Sequence, residues 1–342
     1  VDMVFINWFG KHEMIWYNRS TNGTCHCPEC LEKWKSTRDT PFPEVPFSRE
    51  YWEFMKESKG EAAAAIRETI RRVRPGAGLI LYNTPLTNDH VDSMTAETRT
   101  PFDDAQSWWP YDASLQIDRD RHDHPGKMVF AITVNFINFR WRYVPHRPNE
   151  IRMRAYQAMA YGGAPAYYMI GTLDQPDPSG PAAARPAFAF HAANEDLYVG
   201  QRNAARVLLV EAGGEDDPAL RGLYRLLAEE HIPFYVQAEP DLSGLAGEVD
   251  LVVTATGEVE GLPEYLAAGG RVLVTGTTPP DIELPPVVRE WSAEDTLAAY
   301  WKLTPSDLMP SLRETRTLFM SGPLVEYAGH EGSSLQLQHP AL

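Results

Sequence analysis

Cysteine is scarce in this chain: there are three among 342 residues, and all three fall within Cys25-His26-Cys27-Pro28-Glu29-Cys30. Thiols this close together cannot staple distant segments, so a disulfide framework is excluded and a reducing, cytoplasmic setting is favoured. Positive charge is also in deficit, with 31 Lys and Arg against 47 Asp and Glu and a net charge of −16. Phosphate backbones and anionic lipid surfaces need a cationic face, so neither nucleic acid nor a membrane is expected as a partner. A neutral ligand such as a sugar suits this balance. No run of about 18 apolar residues occurs, so no membrane span is expected. An initiating Met is missing too. The chain opens at Val1, already inside the strand-like run Val1-Asp-Met-Val-Phe-Ile6, and reads as a fragment or processed product with no legible leader.

What is present fits an ordinary globular protein with two sizeable cores, at 43% hydrophobic and 23% charged residues. Aromatic residues are plentiful, with nine Trp and fifteen Tyr. Several of them (Trp16, Tyr17, Trp108, Trp109 and Tyr111) sit in loop-like stretches. They are either core residues or, gathered on one face, stacking platforms for sugar rings.

Up to about residue 200, apolar runs alternate with helical stretches. Strands are expected at Val4–Ile6, Gly78–Tyr82, His90–Thr95, Lys127–Val134 and Ala166–Ile170. Helices are expected at Tyr51–Arg74, stopped by Pro75-Gly76, and at Glu150–Tyr161, stopped by Gly162-Gly163. Strand–helix alternation implies a parallel sheet. Five strands with a last helix near Ala182–Tyr198 read as strands four to eight of a (β/α)8 TIM barrel, with an open five-stranded sheet as the alternative. The next stretch alternates again, through Arg206–Val210, Ala219–His231, Phe234–Val236, Asp250–Thr254, Glu264–Ala268 and Arg271–Thr275. That is the pattern of a flavodoxin-like, doubly wound α/β domain. The expected divisions are 1–200, 201–290 and an irregular or β-rich segment, 291–342, which holds the strand-like Thr317–Met320.

The cysteine cluster has poor spacing for disulfides and good spacing for thiolate coordination of a structural zinc ion, with a metal-free thiol cluster as the alternative. A tetrahedral site needs a fourth ligand: His12, His26, a carboxylate such as Asp39, or a residue upstream of the chain. The strand ending in Asn7-Trp-Phe-Gly10, the loop, and the Cys-x-Cys-x-x-Cys motif followed by Leu31-Glu-Lys-Trp34 resemble the family 42 β-galactosidases and their relatives. Ala96-Glu97-Thr-Arg99, Trp108-Trp109-Pro-Tyr111 and Ala160-Tyr-Gly-Gly163 resemble the glycosidase relatives of that family. The resemblance implies a zinc ion on Cys25, Cys27 and Cys30 and a barrel followed by a trimerisation domain between Ala204 and Pro286. It also implies a homo-oligomer, in that layout a trimer, and hydrolysis of a galactoside-like or other hexoside. The chain departs from the pattern at one telling place. Where the family carries its acid/base Glu after the strand-four Asn, this chain has Trp8 after Asn7. Strand seven, at Thr133-Val-Asn135-Phe-Ile-Asn138, offers amides and no carboxylate.

Glycoside hydrolysis needs two carboxylates, and in this fold they belong at the C-terminal ends of strands. Those ends read Asn7, Asn83, Glu97, Asn135 and Asp174. Glu97 is the expected general acid/base and Asp174 the second carboxylate. The plainer alternatives are an ion pair of Glu97 with Arg99, a turn role for Asp174, and a partner acid on strands upstream. Asn7, Asn83 and Asn135 suit sugar hydroxyls, Arg140 and Arg142 suit a carboxylate-bearing sugar, and Trp8 and Trp109 suit ring stacking. No organic cofactor is expected. The loop Glu211-Ala-Gly-Gly-Glu-Asp-Asp217 carries four acids, which would repel a nucleotide phosphate. A competing reading, favoured by the Asn7-Trp8 pair, is a carbohydrate-binding or scaffold protein without catalysis. A weaker one is a metal-dependent hydrolase using His122, Asp123 and His124, but Asp118–His124 reads as a solvated charged loop.

Overall fold

A computed structural model of the chain describes residues 2–7, 14–15, 20–21, 23–46, 48–82, 89–98, 109–138, 141–212, 214, 217–275, 285–292, 299–303, 314, 316–329 and 335–340. The chain divides into two compact units, Val1–Ala205 with Tyr235–Gln237, and Arg206–Phe234 with Ala238–Leu342.

The first unit opens with β1 (Met3–Ile6) and a short antiparallel pair, β2 (Met14–Ile15) and β3 (Ser20–Thr21). Helices α1 (Pro28–Thr37) and α2 (Arg49–Val73) follow, then β4 (Gly78–Leu81) and β5 (Ser93–Glu97). The rest alternates strictly: α3 (Asp112–Asp123), β6 (Met128–Val134), α4 (Pro148–Ala160), β7 (Ala164–Tyr168), α5 (Ser179–Ala193) and the single turn α6 (Glu195–Tyr198). Strand β1 pairs with β4, and β5, β6 and β7 form a ladder in that order, all parallel. Asp92 joins β4 to β5. Its carboxylate accepts the Leu79 N–H at 2.9 Å, and its own N–H donates to the Leu79 carbonyl at 2.9 Å. Arg67 and Arg71 both pair with that carboxylate.

Alternation along the strands sorts the two faces. Leu79, Leu81, Met94, Ala96, Val129 and Ala131 pack with Ala63 of α2, Ile117 of α3 and Ala158 of α4 in one core. The intervening positions, among them Thr95, Glu97 and Ile132, therefore face the other way. Strands that follow chain order, with successive helices on one face, are singly wound; a doubly wound sheet would reverse its order.

The five strands lie within a few residues of their expected places, but α3 corrects the sequence reading. The run Asp118–His124 is no solvated loop. It is the second half of a helix and its cap, with Asp118 and Asp120 buried. Asp118 accepts the Val236 N–H at 2.7 Å and faces the Asn203 amide at 3.4 Å, while Asp120 pairs with Arg119 at 3.1 Å. Local partners make burial tolerable for carboxylates that a hydropathy pattern assigns to solvent. The last helical stretch also breaks in two, at Asn194.

In the second unit, β8 (Val207–Val210) precedes the amphipathic α7 (Pro218–Glu229), which buries Leu220, Leu223, Tyr224 and Leu227. Strand β9 (Tyr235–Gln237) groups with the first unit. Strand β10 (Leu251–Thr254) pairs in parallel with β8 and with β11 (Val272–Val274), the latter following α8 (Leu262–Ala267). The remainder is antiparallel. β12 (Val287–Trp291) pairs with β15 (Leu324–Tyr327), and β13 (Ala299–Leu303) lies between β14 (Thr317–Met320) and β16 (Leu335–Pro340).

Candidate functional site

The cysteine cluster forms where the chain enters α1. Cys27 caps the helix, its Sγ accepting the Cys30 N–H at 3.4 Å, and Pro28 starts the first turn, where its missing N–H costs nothing. That geometry turns the Cys27 and Cys30 thiols toward each other. Cys25 is fixed upstream by its N–H, which donates to the Tyr51 hydroxyl at 2.9 Å. All three Sγ atoms lie within 4.8 Å of one another. A tetrahedral site with Zn–S bonds of about 2.3 Å needs sulfurs roughly 3.8 Å apart, so small side-chain adjustments admit a metal. Behind the cluster Trp34, Tyr51, Phe54 and Met55 make a core on which Cys30 packs. Burial, then the neighbouring thiols, push the Cys30 thiol up to about 12. A bound cation would reverse that effect on Cys30, and three thiols held this close make the donor set of a metal site. No other Cys, His, Asp or Glu joins them among the described residues. The His26 Nε2 lies 2.9 Å from the Thr24 hydroxyl instead, and His12 lies outside the described residues.

Because the strands are parallel, their C-terminal ends share one edge, and Glu97 closes β5 there. It shares a face with Ser93 and Thr95, away from Met94 and Ala96 and the helices they touch. The Gln116 side chain of α3 binds both main-chain groups of Glu97. Its Oε1 accepts the N–H at 3.2 Å and its Nε2 donates to the carbonyl at 3.0 Å. The next residue, Thr98, is 1% exposed. Its hydroxyl donates to the Ile132 carbonyl at 2.9 Å, accepts the Val134 N–H at 3.3 Å and meets Arg154 Nη1 at 3.5 Å. Arg154 in turn pairs with Glu150 at 2.8 Å, and Glu150 faces His146 at 3.2 Å. Burial lowers the Arg154 guanidinium, and Glu150 and Asp112 oppose that effect. Gln116, Thr98 and Arg154 were not legible as site residues, because single polar residues spread over a strand end and two helices leave no spaced motif.

Asn135 lies one residue past β6, on the helix side, and is 1% exposed. Its Oδ1 accepts the Tyr167 hydroxyl, its N–H donates to the Tyr168 carbonyl at 2.8 Å, and its carbonyl accepts the His146 N–H at 2.6 Å. Burial pushes the Tyr167 hydroxyl above its ordinary value, so it stays a donor. Asn135 is thus tied to Tyr167 and Tyr168 of β7 and to the main chain of His146. Asp174 is exposed in the turn between β7 and α5, where the Gln175 amide donates to the Ile170 carbonyl at 3.1 Å and to that of Thr172. Asn7, just past β1, and Arg142 are exposed, the latter in a hairpin whose base pairs Phe136 with Pro145. Trp109 is half-buried, edge-on to Tyr111 at 5.2 Å. Trp8, Asn83 and Arg140 lie outside the described residues. His122, Asp123 and His124 do not converge as ligands. The His122 Nδ1 sits 2.6 Å from the Asp118 carbonyl and its ring lies against Tyr235.

No protein-family model matches the chain, and no curated protein matches it. Solved structures do. The α-L-fucosidase isoenzyme 2 from Paenibacillus thiaminolyticus superposes with a TM-score of 0.65 at 20% identity, over 89% of this chain and 48% of that one. The β-galactosidase from Bacillus circulans sp. alkalophilus does so with a TM-score of 0.58 at 12% identity, over 81% of this chain and 49% of that one. The chain spans about half the length of either protein. The likeness establishes a glycosidase-like mixed α/β fold with parallel sheets.

Proposed function

We propose that the chain is the later part of a glycosidase that hydrolyses O-glycosidic bonds of a hexoside, with Glu97 as general acid/base and Asp174 as the second carboxylate. The observation that supports this best is the position of Glu97. It ends a parallel strand, on the face opposite the helices, at the edge where enzymes built on such strands place their chemistry. Asp174 follows β7 at that same edge. In this reading β1, β4, β5, β6 and β7 are strands four to eight of a closed (β/α)8 barrel, completed by strands upstream of Val1. Cys25, Cys27 and Cys30 hold a structural zinc, which ties the loop after β1 to α1 and takes no part in bond cleavage. The α/β stretch from Arg206 assembles subunits and does no chemistry.

The test is Glu97→Gln in the full-length protein, assayed on a panel of aryl hexosides including galactosides and fucosides. The amide keeps the shape and cannot transfer a proton, so kcat falls by roughly 10²- to 10⁴-fold for substrates with poor leaving groups. Unchanged activity removes Glu97 from the mechanism. A second reading, a carbohydrate-binding protein without catalysis, is favoured by the exposed Asn7 at the end of β1, which is followed by no acid. Sugar binding without cleavage of any substrate on the panel selects that reading.

A further inference from the structure

The paired hydrogen bonds between Gln116 and Glu97 solve a problem posed by the sheet. In a parallel ladder the main-chain groups of one residue point to one side, and those of the next residue to the other. The Thr98 N–H reaches the Ile132 carbonyl of β6 at 3.0 Å, so the Glu97 N–H and carbonyl point away from β6, toward β4. There the Gln116 amide binds both of them. A primary amide carries one donor group and one acceptor in a fixed plane, so it spans both groups of a single residue as a neighbouring strand would. Gln116 is itself only 8% exposed, on a helix that buries eight of its twelve residues. On the opposite edge Thr98 is tied to Ile132, Val134 and Arg154. Two successive residues are therefore held from both sides by buried polar groups, at the strand end that carries the acid.

We infer that Gln116 is a positioning residue for Glu97: its side-chain amide binds both main-chain groups of Glu97 and fixes the backbone from which the carboxyl group is aimed. The inference rests on Glu97 acting as the acid/base. An error of about 1 Å in placing a reacting group costs on the order of 10²-fold in rate, which is the scale on which such a clamp matters. The group acts through main-chain atoms alone, so its loss changes where the carboxyl sits and leaves substrate contacts in place.

Two variants of the full-length protein test this, the first with a readout that does not require turnover. Gln116→Met keeps the length and removes both hydrogen bonds. Exchange of the Glu97 amide, followed by residue-resolved hydrogen exchange, accelerates by about tenfold or more, while the Val134 amide is unaffected. The same variant loses roughly 10- to 100-fold in kcat, with KM within about threefold of wild type. Gln116→Glu adds a rescue that depends on pH. Its protonated carboxyl offers the same donor and acceptor as the amide, so activity relative to wild type is near normal in mild acid. That activity falls toward the Met variant as the carboxyl ionises and loses its donor. An unchanged exchange rate at Glu97 in the Met variant overturns the clamp, as does a Glu variant that tracks wild type at every pH. If exchange accelerates but Glu97→Gln retains full activity, the clamp stands as structure, the catalytic reading of Glu97 fails, and the positioning role is overturned with it. Should the Met variant fail to fold, the Glu variant at low and high pH carries the test alone.

Discussion

The Asp118 carboxylate, 1% exposed, accepts the main-chain N–H of Val236 at 2.7 Å and thereby anchors β9 to α3. Burial pushes this carboxyl up to about 7 from an ordinary value of 3.8; the Val236 N–H, Arg121 and Asn203 pull the other way without overcoming it. The facing His122 imidazole is lowered, again chiefly by burial, so it is a weak source of compensating charge. The consequence for stability has a definite sign. Between the unfolded value and about 7 the folded protein retains a proton that the unfolded chain has released, so stability falls as pH rises through that window and levels off above it. Asp118→Asn keeps an acceptor for Val236 and cannot ionise. In thermal denaturation the variant is expected to be more stable than wild type at pH 8, by several degrees, with the gap closing near pH 4. A gap that is constant across this range contradicts the assignment.

The thiol cluster allows metal binding and helix capping to be separated. Cys27 is at once one of the three clustered thiols and the N-cap of α1. Ser is a good N-cap and a poor zinc ligand. Cys27→Ser should therefore reduce bound metal, measured by elemental analysis, from stoichiometric to background. The cap remains, so the added destabilisation of Cys27→Ala over Cys27→Ser isolates the capping contribution, about 0.5–2 kcal/mol. Chelation of the wild-type protein should lower Tm toward the value of the Ser variant and leave the Ser variant itself unmoved. Undiminished metal content in Cys27→Ser excludes this cysteine as a ligand.

Legibility in the sequence followed the range of the interactions involved. Strands β4 and β6 are continuous apolar runs, and their limits fell within a residue of expectation because burial on both faces leaves little choice. Helix α2 was placed by its stop at Pro75-Gly76, while its start lies two residues before the expected Tyr51, at Arg49 behind the Ser48 cap. Helix α3 was invisible for the opposite reason. Its second half, Asp118-Arg-Asp-Arg-His-Asp123, has the composition of a surface, and only partners such as Asn203 and Val236, distant in sequence, let it be buried. The same limit applies to the candidate site. The thiols lie within six residues and could be read together, whereas the grip of Gln116 on Glu97 spans nineteen positions. Asn135 was expected at an open strand end. Its burial against Tyr167 follows from which side of β6 the chain leaves, and the parity of a strand cannot be settled without its neighbours.

The stop of α4 offers a test that combines local and distant physics. Gly163 donates to the Ala158 carbonyl at 2.8 Å and Gly162 to that of Met159 at 3.0 Å, the paired bonds of a Schellman ending. Gly162 adopts φ of +76°, where any side chain is strained. A second constraint comes from α3. Arg121 donates to the Tyr161 carbonyl at 2.7 Å and to the Gln201 carbonyl at 2.8 Å, and its guanidinium occupies the space that a Cβ on Gly162 would enter. Gly162→Ala thus costs about 1–2 kcal/mol for the backbone alone, with a further loss as Arg121 is driven from its two carbonyls. Arg121→Ala removes the obstruction and the two hydrogen bonds together. In a double-mutant cycle read by urea denaturation, Gly162→Ala should be less costly in the Arg121→Ala background than in wild type, by roughly 1 kcal/mol. Additivity of the two substitutions would mean that only the left-handed backbone conformation demands glycine here.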